Sequence, residues 1–151
     1  MLVVERPADM KALVGKELGV SEWVTIDQAT IDKFAEATGD HQWIHVDVAR
    51  AKQEMPGGKT IAHGFLTLSL VAGLGGQTHD ITRRSRGINY GSNKVRFTAP
   101  VPVDSRVRLR QKLLKVEDIA GGVRLYYENQ MEIEGSDKPA LIAETIALAY
   151  D

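Results

Sequence analysis

The sequence predicts an α+β protein in which a curved antiparallel sheet covers one buried helix. Helical patterns are concentrated in the first half of the chain, whereas segments with alternating apolar and polar residues fill the second half. Between the two halves, residues 61–76 (IAHGFLTLSLVAGLGG) are apolar on nearly every side of a helix, and such a helix is normally buried. With roughly a dozen residues, this helix is too short to cross a bilayer, so we expect no membrane segment.

The composition is that of an ordinary soluble protein, with 43% hydrophobic and 26% charged residues, and its length suits a single domain spanning residues 1–151. The chain has no cysteine, which excludes disulfide bonds and thiolate chemistry and fits a reducing compartment. The opening residues, MLVVERPADM, are too polar for a signal peptide. We therefore expect a cytoplasmic protein.

The first half begins with a mixed segment, residues 1–20, that has no strong period, and a short strand is predicted over residues 22–26. Asp27 is a favourable N-cap for a helix over residues 28–38, whose apolar positions are close to helical spacing. Gly39 is typical of the residue that ends a helix in the left-handed conformation.

An irregular loop is predicted over residues 40–45, followed by a short helix over 47–54 and a loop rich in Pro and Gly over 55–59. The buried helix comes next, and His63 and Gly64 stand at its N-terminus. Free backbone N–H groups and the positive end of the helix dipole can hold an anion there. Because Gly64 has no side chain, a ligand can approach this end of the helix.

Four strands are predicted in the second half, over residues 87–97, 106–113, 123–133 and 141–150, and the second and third of them alternate apolar with polar residues. Gly121-Gly122 is typical of a tight hairpin, and turns are predicted over 99–104 and 135–139. A large antiparallel sheet with one apolar face often pairs with a second copy of itself, so we expect a homodimer.

Positive charge is concentrated between residues 81 and 115, which hold ten Lys or Arg and one acidic residue, although the net charge of the chain is −1. The basic residues at 106, 108, 110 and 112 alternate with apolar ones, so they are predicted to face solvent. Arg83, Arg84 and Arg86 lie in a predicted loop before a strand and are better placed to bind phosphate groups. The near-zero net charge and the lack of a recognition motif argue against nucleic acid binding.

The segment Gly39–His45 (GDHQWIH) brings one carboxylate and two imidazoles together in a loop. A carboxylate and a neutral imidazole aimed at one point can share a water and move protons to and from a neighbouring carbon. On spacing alone, a structural role is the commoner explanation, with Asp40 bonded to the loop and His45 packed at a polar edge. A metal site at Asp40, His41 and His45 is a weaker alternative, because no third ligand geometry is evident.

The same segment, followed by Ala51 and then by AHGF at residues 62–65, resembles the MaoC-like dehydratases, which are (R)-specific enoyl-CoA hydratases of the hot-dog fold. Their signature is Gly-Asp-x-Asn-Pro-hydrophobic-His, then five residues and a small residue. Five positions of this chain match it: Gly39, Asp40, Ile44, His45 and Ala51. The similarity extends from the helix after Asp27 to the strand INYGSNKVRF.

The resemblance implies a hot-dog fold, in which the sheet wraps around the central helix, and reversible hydration of trans-2-enoyl-CoA to (R)-3-hydroxyacyl-CoA. Asp40 and His45 would hold the catalytic water, and the N–H of Gly64 would donate to the thioester carbonyl. Negative charge develops on that oxygen as the enolate forms, and a preorganised donor there contributes about 3 kcal/mol. Which of Asp40 and His45 is the base stays open.

Coenzyme A is then part of the substrate, so the resemblance implies an acyl-CoA partner, no separate cofactor and no metal. We expect Arg84 and Arg86 to bind its phosphates. Trp43 is expected either to wall the acyl pocket or to seal the loop. The acyl chain length is not predicted, because it depends on the depth of the pocket along the buried helix.

The chain departs from the family signature at Gln42 and Trp43, where the family has Asn-Pro, and this places it nearer the nodulation-protein-N-like branch. Ala72 stands where some hydratases carry a serine in the buried helix. Two other functions stay open. One is a hot-dog acyl-CoA thioesterase, and the other is a non-catalytic module that binds acyl-CoA or a partner protein.

Overall fold

Eight strands and four α-helices are found along the chain in the computed structural model, which describes all 151 residues. The strands are β1 (Leu2–Val4), β2 (Glu17–Val20), β3 (Val24–Ile26), β4 (His79–Ile81), β5 (Arg86–Phe97), β6 (Ser105–Ile119), β7 (Gly122–Ile133) and β8 (Leu141–Tyr150). The helices are α1 (Gln28–Thr38), α2 (Trp43–Val46), α3 (Val48–Glu54) and α4 (Gly64–Gly75), with short 3-10 helices at Pro7–Leu13 and Pro56–Gly58.

Six of the strands form one antiparallel sheet in the order β2-β6-β7-β8-β5, and β3 pairs with β6 on the same side as β2. The four predicted long strands are all present in this sheet, so the predicted α+β class is confirmed. Strand β6 is longer than predicted, because it continues past a register shift between Leu113 and Lys115 and runs to Ile119.

The outer face of the sheet carries the alternating basic residues, as predicted, and they pair with acidic residues of the neighbouring strand. Arg108 and Arg110 both bond to Glu132, and Arg106 bonds to Glu134. Partial burial works to raise the pKa of Glu132, but hydrogen bonds from Arg110 and Arg108 outweigh it and hold that pKa below its ordinary value. These cations are therefore partly neutralised on the sheet surface.

Residues 1–20 are more ordered than their weak sequence period suggested. Strand β1 pairs in parallel with β4, and β2 joins the edge of the large sheet. Met10 and Leu18 are buried in a second, smaller hydrophobic cluster with Ile81 and Leu113. The elements here have only three to seven residues each, which is too short for a period to be recognised.

The helix ends in the first half follow the predicted capping chemistry. The Asp27 carboxylate accepts a hydrogen bond from the Thr30 N–H at 2.8 Å, and Gly39 adopts a left-handed φ of 78° after α1. The predicted loop that follows is partly helical, because α2 occupies its second half. Asp47 then caps α3 through a bond from the Arg50 N–H.

Helix α4 lies against the concave face of the sheet and contributes Leu66, Val71 and Leu74 to the main core. The opposite side of the helix is open in the single chain, where Phe65 is 67% exposed. Edge strand β5 is also exposed along nearly its whole length. No helix of the chain combines the length and the apolar character needed to span a bilayer.

Candidate active site

Three side chains from separate segments meet at the N-terminal end of α4. The Asp40 carboxylate, an imidazole nitrogen of His45 and one of His63 all lie within 4.8 Å of one another. Asp40 precedes α2, His45 lies within it, and His63 is the N-cap residue of α4. The structure therefore brings together the two residues that the sequence predicted and adds a third.

His45 is buried, and its ring has a fixed orientation. Its Nδ1–H donates to the carbonyl oxygen of Ile61 at 2.7 Å. This bond assigns the proton to Nδ1 and leaves the lone pair on Nε2 free to accept a proton from a substrate or a water. The main chain is held as well, because the side chain of Gln28 donates to the His45 carbonyl oxygen at 2.8 Å.

Asp40 is exposed and makes few contacts within the protein. Its carboxylate accepts only from the Gln42 N–H, at 3.3 Å, and its own N–H donates to the Thr38 hydroxyl at 3.4 Å. The carboxylate oxygens are thus largely free to bind a water. The main-chain carbonyl of Asp40 accepts a shorter bond, 3.0 Å, from the imidazole Nε2–H of His63.

His63 is 2% exposed, and its ring stacks on that of His45 with the centroids 3.8 Å apart and the planes 24° apart. Phe34 packs against the same ring at 4.9 Å. From the sequence, His63 was expected only to stand at the start of the helix. Its contact with His45 was missed because the two residues are 18 positions apart and share no local period; the one available signal was a histidine directly before a buried helix.

Gly64 is the first residue of α4, and its N–H donates to no acceptor in the protein. A Cβ at this position would lie 2.9 Å from the ring of Phe97, so a side chain would displace that ring or the start of the helix. The position therefore needs glycine for packing, and it leaves one helix N–H free to bind an acceptor.

A cavity of about 300 Å³ opens beside His45 and Gly64. Most of its wall is apolar and includes Phe65, Phe97 and Val101. A free imidazole nitrogen and a free N–H thus border a space whose wall suits hydrocarbon. Such a space favours a ligand with a carbonyl group next to an apolar chain.

A second cavity, of about 600 Å³, lies between the C-terminal half of α4 and the sheet. Small helix residues such as Ala72 and Gly75 border it on one side, and buried polar residues such as Gln111 and Tyr127 on the other. Arg84 also borders this cavity.

None of the predicted substrate-binding side chains borders the cavity beside His45. Trp43 borders neither cavity, and the Arg50 guanidinium stacks over its ring at 4.0 Å. Arg86 stacks over Tyr150 at 4.1 Å and also borders neither cavity. Arg84 borders only the larger cavity. The roles of these three side chains therefore stay predictions.

The cluster of Asp40, His45 and His63 is poorly shaped for a metal ion. An imidazole binds a metal through the in-plane lone pair of its nitrogen, at about 2.0–2.1 Å. The two rings are stacked nearly parallel, so those lone pairs do not converge on one point. One nitrogen of each ring is also bonded to a carbonyl oxygen. His41, the other candidate ligand from the sequence, is not part of the cluster.

Comparison with known proteins identifies the family of the chain. Residues 9–132 match the model of the MaoC like domain. The chain is 51% identical over 147 residues to the 3-hydroxyacyl-thioester dehydratase Z of Mycobacterium tuberculosis, covering 97% of each chain. It is 47% identical over 143 residues to Nodulation protein N of Rhizobium leguminosarum bv. viciae, covering 93% of this chain and 89% of that protein.

Solved structures support the same fold. The R-hydratase PhaJ1 from Pseudomonas aeruginosa superimposes with a TM-score of 0.74 at 22% identity, covering 91% of this chain and 82% of that one. The (R)-hydratase from A. caviae gives a TM-score of 0.72 at 22% identity, with 89% and 94% coverage. The resemblance predicted from the sequence is confirmed, and the chain belongs to the MaoC-like dehydratases, a family of hydro-lyases with the hot-dog fold.

Proposed function

We propose that this protein catalyses the reversible, (R)-specific hydration of trans-2-enoyl-CoA to (R)-3-hydroxyacyl-CoA, with Asp40 and His45 as its acid–base pair. Two observations carry the proposal: the Asp40 carboxylate lies within 4.8 Å of an imidazole nitrogen of His45, and Gly64, whose N–H is free, borders the same cavity as His45. The relative named 3-hydroxyacyl-thioester dehydratase Z, which is similar over nearly the whole chain, supports this reaction class.

In the proposed hydration, a water sits between Asp40 and His45, and the thioester carbonyl accepts the N–H of Gly64. The pair takes a proton from the water as its oxygen bonds to C3 of the substrate. The C2–C3 double-bond electrons move toward the carbonyl oxygen, where the negative charge of the enolate is stabilised by the Gly64 N–H and the helix dipole.

The proton taken from the water is then delivered to C2, so the pair ends the cycle unchanged. Because Asp40 and His45 lie together at one end of α4, the hydroxyl and the proton reach the same face of the double bond. Apolar residues of the cavity beside His45, including Phe65 and Phe97, provide a wall for the hydrocarbon next to the thioester.

We further infer that Arg84 and Arg86 bind phosphates of coenzyme A. Their neighbour Arg83 forms an ion pair with Glu5, whereas no carboxylate pairs with Arg84 or Arg86. An unpaired guanidinium is a good partner for a phosphate. Trp43 does not border the cavity beside His45, so of its two expected roles we propose the one of sealing the loop that carries Asp40. The lack of cysteine supports a reducing compartment, and we propose the cytoplasm.

The functional unit is proposed to be a homodimer. Four large apolar residues on β5 and on the open side of α4 face solvent in the single chain, namely Ile88, Tyr90, Phe97 and Phe65. An edge strand with unpaired backbone groups next to an apolar patch is suited to pairing with a second copy of itself. Sedimentation of the wild type and of Ile88→Lys tests this, and equal masses at the monomer value would contradict it.

The function is tested by incubating purified protein with a ladder of trans-2-enoyl-CoA chain lengths and following the loss of enoyl thioester absorbance. Chiral analysis of the product establishes its stereochemistry. Release of free thiol without hydration would instead indicate the thioesterase alternative. Binding of acyl-CoA with no turnover, unchanged in Asp40→Asn, would indicate the non-catalytic module.

A further inference from the structure

His63 contacts both members of the proposed acid–base pair, although it was not among the predicted site residues. We infer that His63 is a positioning residue, which holds the Asp40 loop and the His45 ring in register with the N-terminus of α4. This inference rests on the proposed function, since the geometry that it explains is that of the hydration site. Two contacts and one unbonded atom support it.

The first contact ties Asp40 to the protein interior. The His63 Nε2–H donates to the Asp40 carbonyl oxygen at 3.0 Å, whereas the other polar contacts of Asp40, to Thr38 and Gln42, are 3.3–3.4 Å long. An exposed loop held only by such long bonds has considerable freedom. The bond from the buried His63 ring is thus the shortest polar contact that holds the main chain of Asp40, and the position of the main chain sets where the carboxylate points.

The second contact fixes the plane of the His45 ring. The stack at 3.8 Å covers one face of that ring, while the bond to the Ile61 carbonyl sets its rotation. Ile61, His63 and Gly64 belong to one short segment. The Ile61 carbonyl and the His63 ring, which orient His45, therefore lie in the same segment as the Gly64 N–H that is proposed to bind the thioester.

The unbonded atom is Nδ1 of His63, which is buried and has no hydrogen-bond partner. An isolated buried polar atom costs free energy, so packing alone would favour a phenylalanine at this position. The bond from Nε2–H to Asp40 is the one interaction that an imidazole makes here and a phenyl ring cannot make. This contrast identifies the Asp40 carbonyl as the reason for a histidine.

Two substitutions separate the contacts. His63→Phe keeps a ring for stacking but removes the N–H, and His63→Gln places an amide N–H at a similar reach but removes the stack. We expect His63→Phe to lower kcat about 10- to 100-fold, because small misplacements of catalytic groups are costly, with KM for the enoyl-CoA changing less than about twofold. His63→Gln should recover at least about a third of the wild-type kcat.

Melting temperature and amide hydrogen exchange are measured on the same variants. Residues 40–46 should exchange faster in His63→Phe than in His63→Gln, while exchange in β6 and β7 stays unchanged. A folded His63→Phe with the wild-type kcat, or equal losses in the two variants, would overturn the inference. If His63→Phe does not fold, wild-type kcat in His63→Ala would overturn it, and loss in His63→Ala with recovery in His63→Gln would support it.

The proposed function and this inference fail in different ways. If the wild type hydrates no member of the enoyl-CoA ladder, the proposed function is wrong, and hydrogen exchange alone tests the link between His63 and the Asp40 loop. If the wild type is active and His45→Ala is inactive while His63→Phe is fully active, the proposed function stands and the positioning role is wrong.

Discussion

The two ends of α4 differ in whether the nearby polar groups have hydrogen-bond partners within the protein. At the N-terminal end, the His45 Nε2 and the Gly64 N–H have no partner within the protein. Polar atoms at this end therefore retain unused hydrogen-bonding capacity next to a cavity. Because such atoms are costly unless something occupies them, they mark a place where a ligand is expected.

At the C-terminal end, a chain of side-chain hydrogen bonds leaves little unused. Thr78 donates to Gln111 at 2.8 Å, Gln111 donates to Asn129 at 2.8 Å, and Asn129 donates to Thr145 at 2.7 Å. His79 adds a further contact with Thr78 at 3.0 Å. The members of this buried network are one another's hydrogen-bond partners, and the network connects the strands to the end of the helix. Its primary role is therefore structural. The contrast predicts that substitutions at the two ends separate activity from stability.

The largest effect is expected for the acid–base pair. His45→Ala or Asp40→Asn should lower kcat about 10²- to 10⁴-fold, the usual contribution of a general acid or base. The melting temperature of Asp40→Asn should stay within a few degrees of the wild type, because the carboxylate makes only one long contact. Steady-state hydration assays with a thermal melt check this, and full activity in either variant would contradict the assigned roles.

A smaller loss is expected from Gly64→Ala. The new methyl group would meet the Phe97 ring at 2.9 Å and displace the helix start or the ring, so we expect kcat/KM to fall about tenfold or more. Gly73→Ala on the same helix is the matched control, since its methyl group meets nothing within 4 Å. That variant should gain about 0.5–1 kcal/mol of stability and keep its activity.

A substitution within the polar network should lower the stability of the protein and leave kcat unchanged. Asn129→Leu removes the partner of Gln111 and of Thr145 in a fully buried position, so we expect a loss of about 1–3 kcal/mol in the free energy of unfolding. The kcat of the folded fraction at low temperature should stay near the wild-type value. Urea denaturation and enzyme assays on one preparation provide the measurement, and a selective loss of kcat would link the network to catalysis.

The smallest effect concerns pH. Burial, with a further contribution from the positive charge of Arg84, holds the pKa of His79 below its ordinary value of 6.5. The unfolded chain therefore binds this proton more readily, and stability should decline as the pH falls below about 6.5. Urea denaturation at pH 7.5, 6.5 and 5.5 should show a shallower decline in His79→Gln, and parallel declines would contradict this assignment.

Local chemistry in the sequence was sufficient for much of the fold. Asp27 and Gly39 bounded α1 through capping rules, and period-two alternation located β6 and β7, because each signal lies within a few residues. The helical turn of α2 and the strands before residue 20 were not predicted, since they depend on tertiary contacts.

The site was predictable only in part, for the same reason. Asp40 and His45 stood out because they are five positions apart and match a signature. The stacking of His63 on His45 joins distant segments, which no single-sequence period reveals. Asn129 interrupts the apolar face of β7, and Gln111 interrupts that of β6; these interruptions were the hints of the polar network.

The exposed Phe65 and Phe97 have a practical consequence. Both line the cavity beside His45, and both lie on the open side proposed to be covered by a second copy. If that proposal holds, a lone protomer has an incomplete substrate wall, and turnover per molecule should decline on dilution below the concentration at which the pair dissociates. The enzyme activity in the cell would then depend on the concentration of the protein, because only the dimer would have a complete substrate wall.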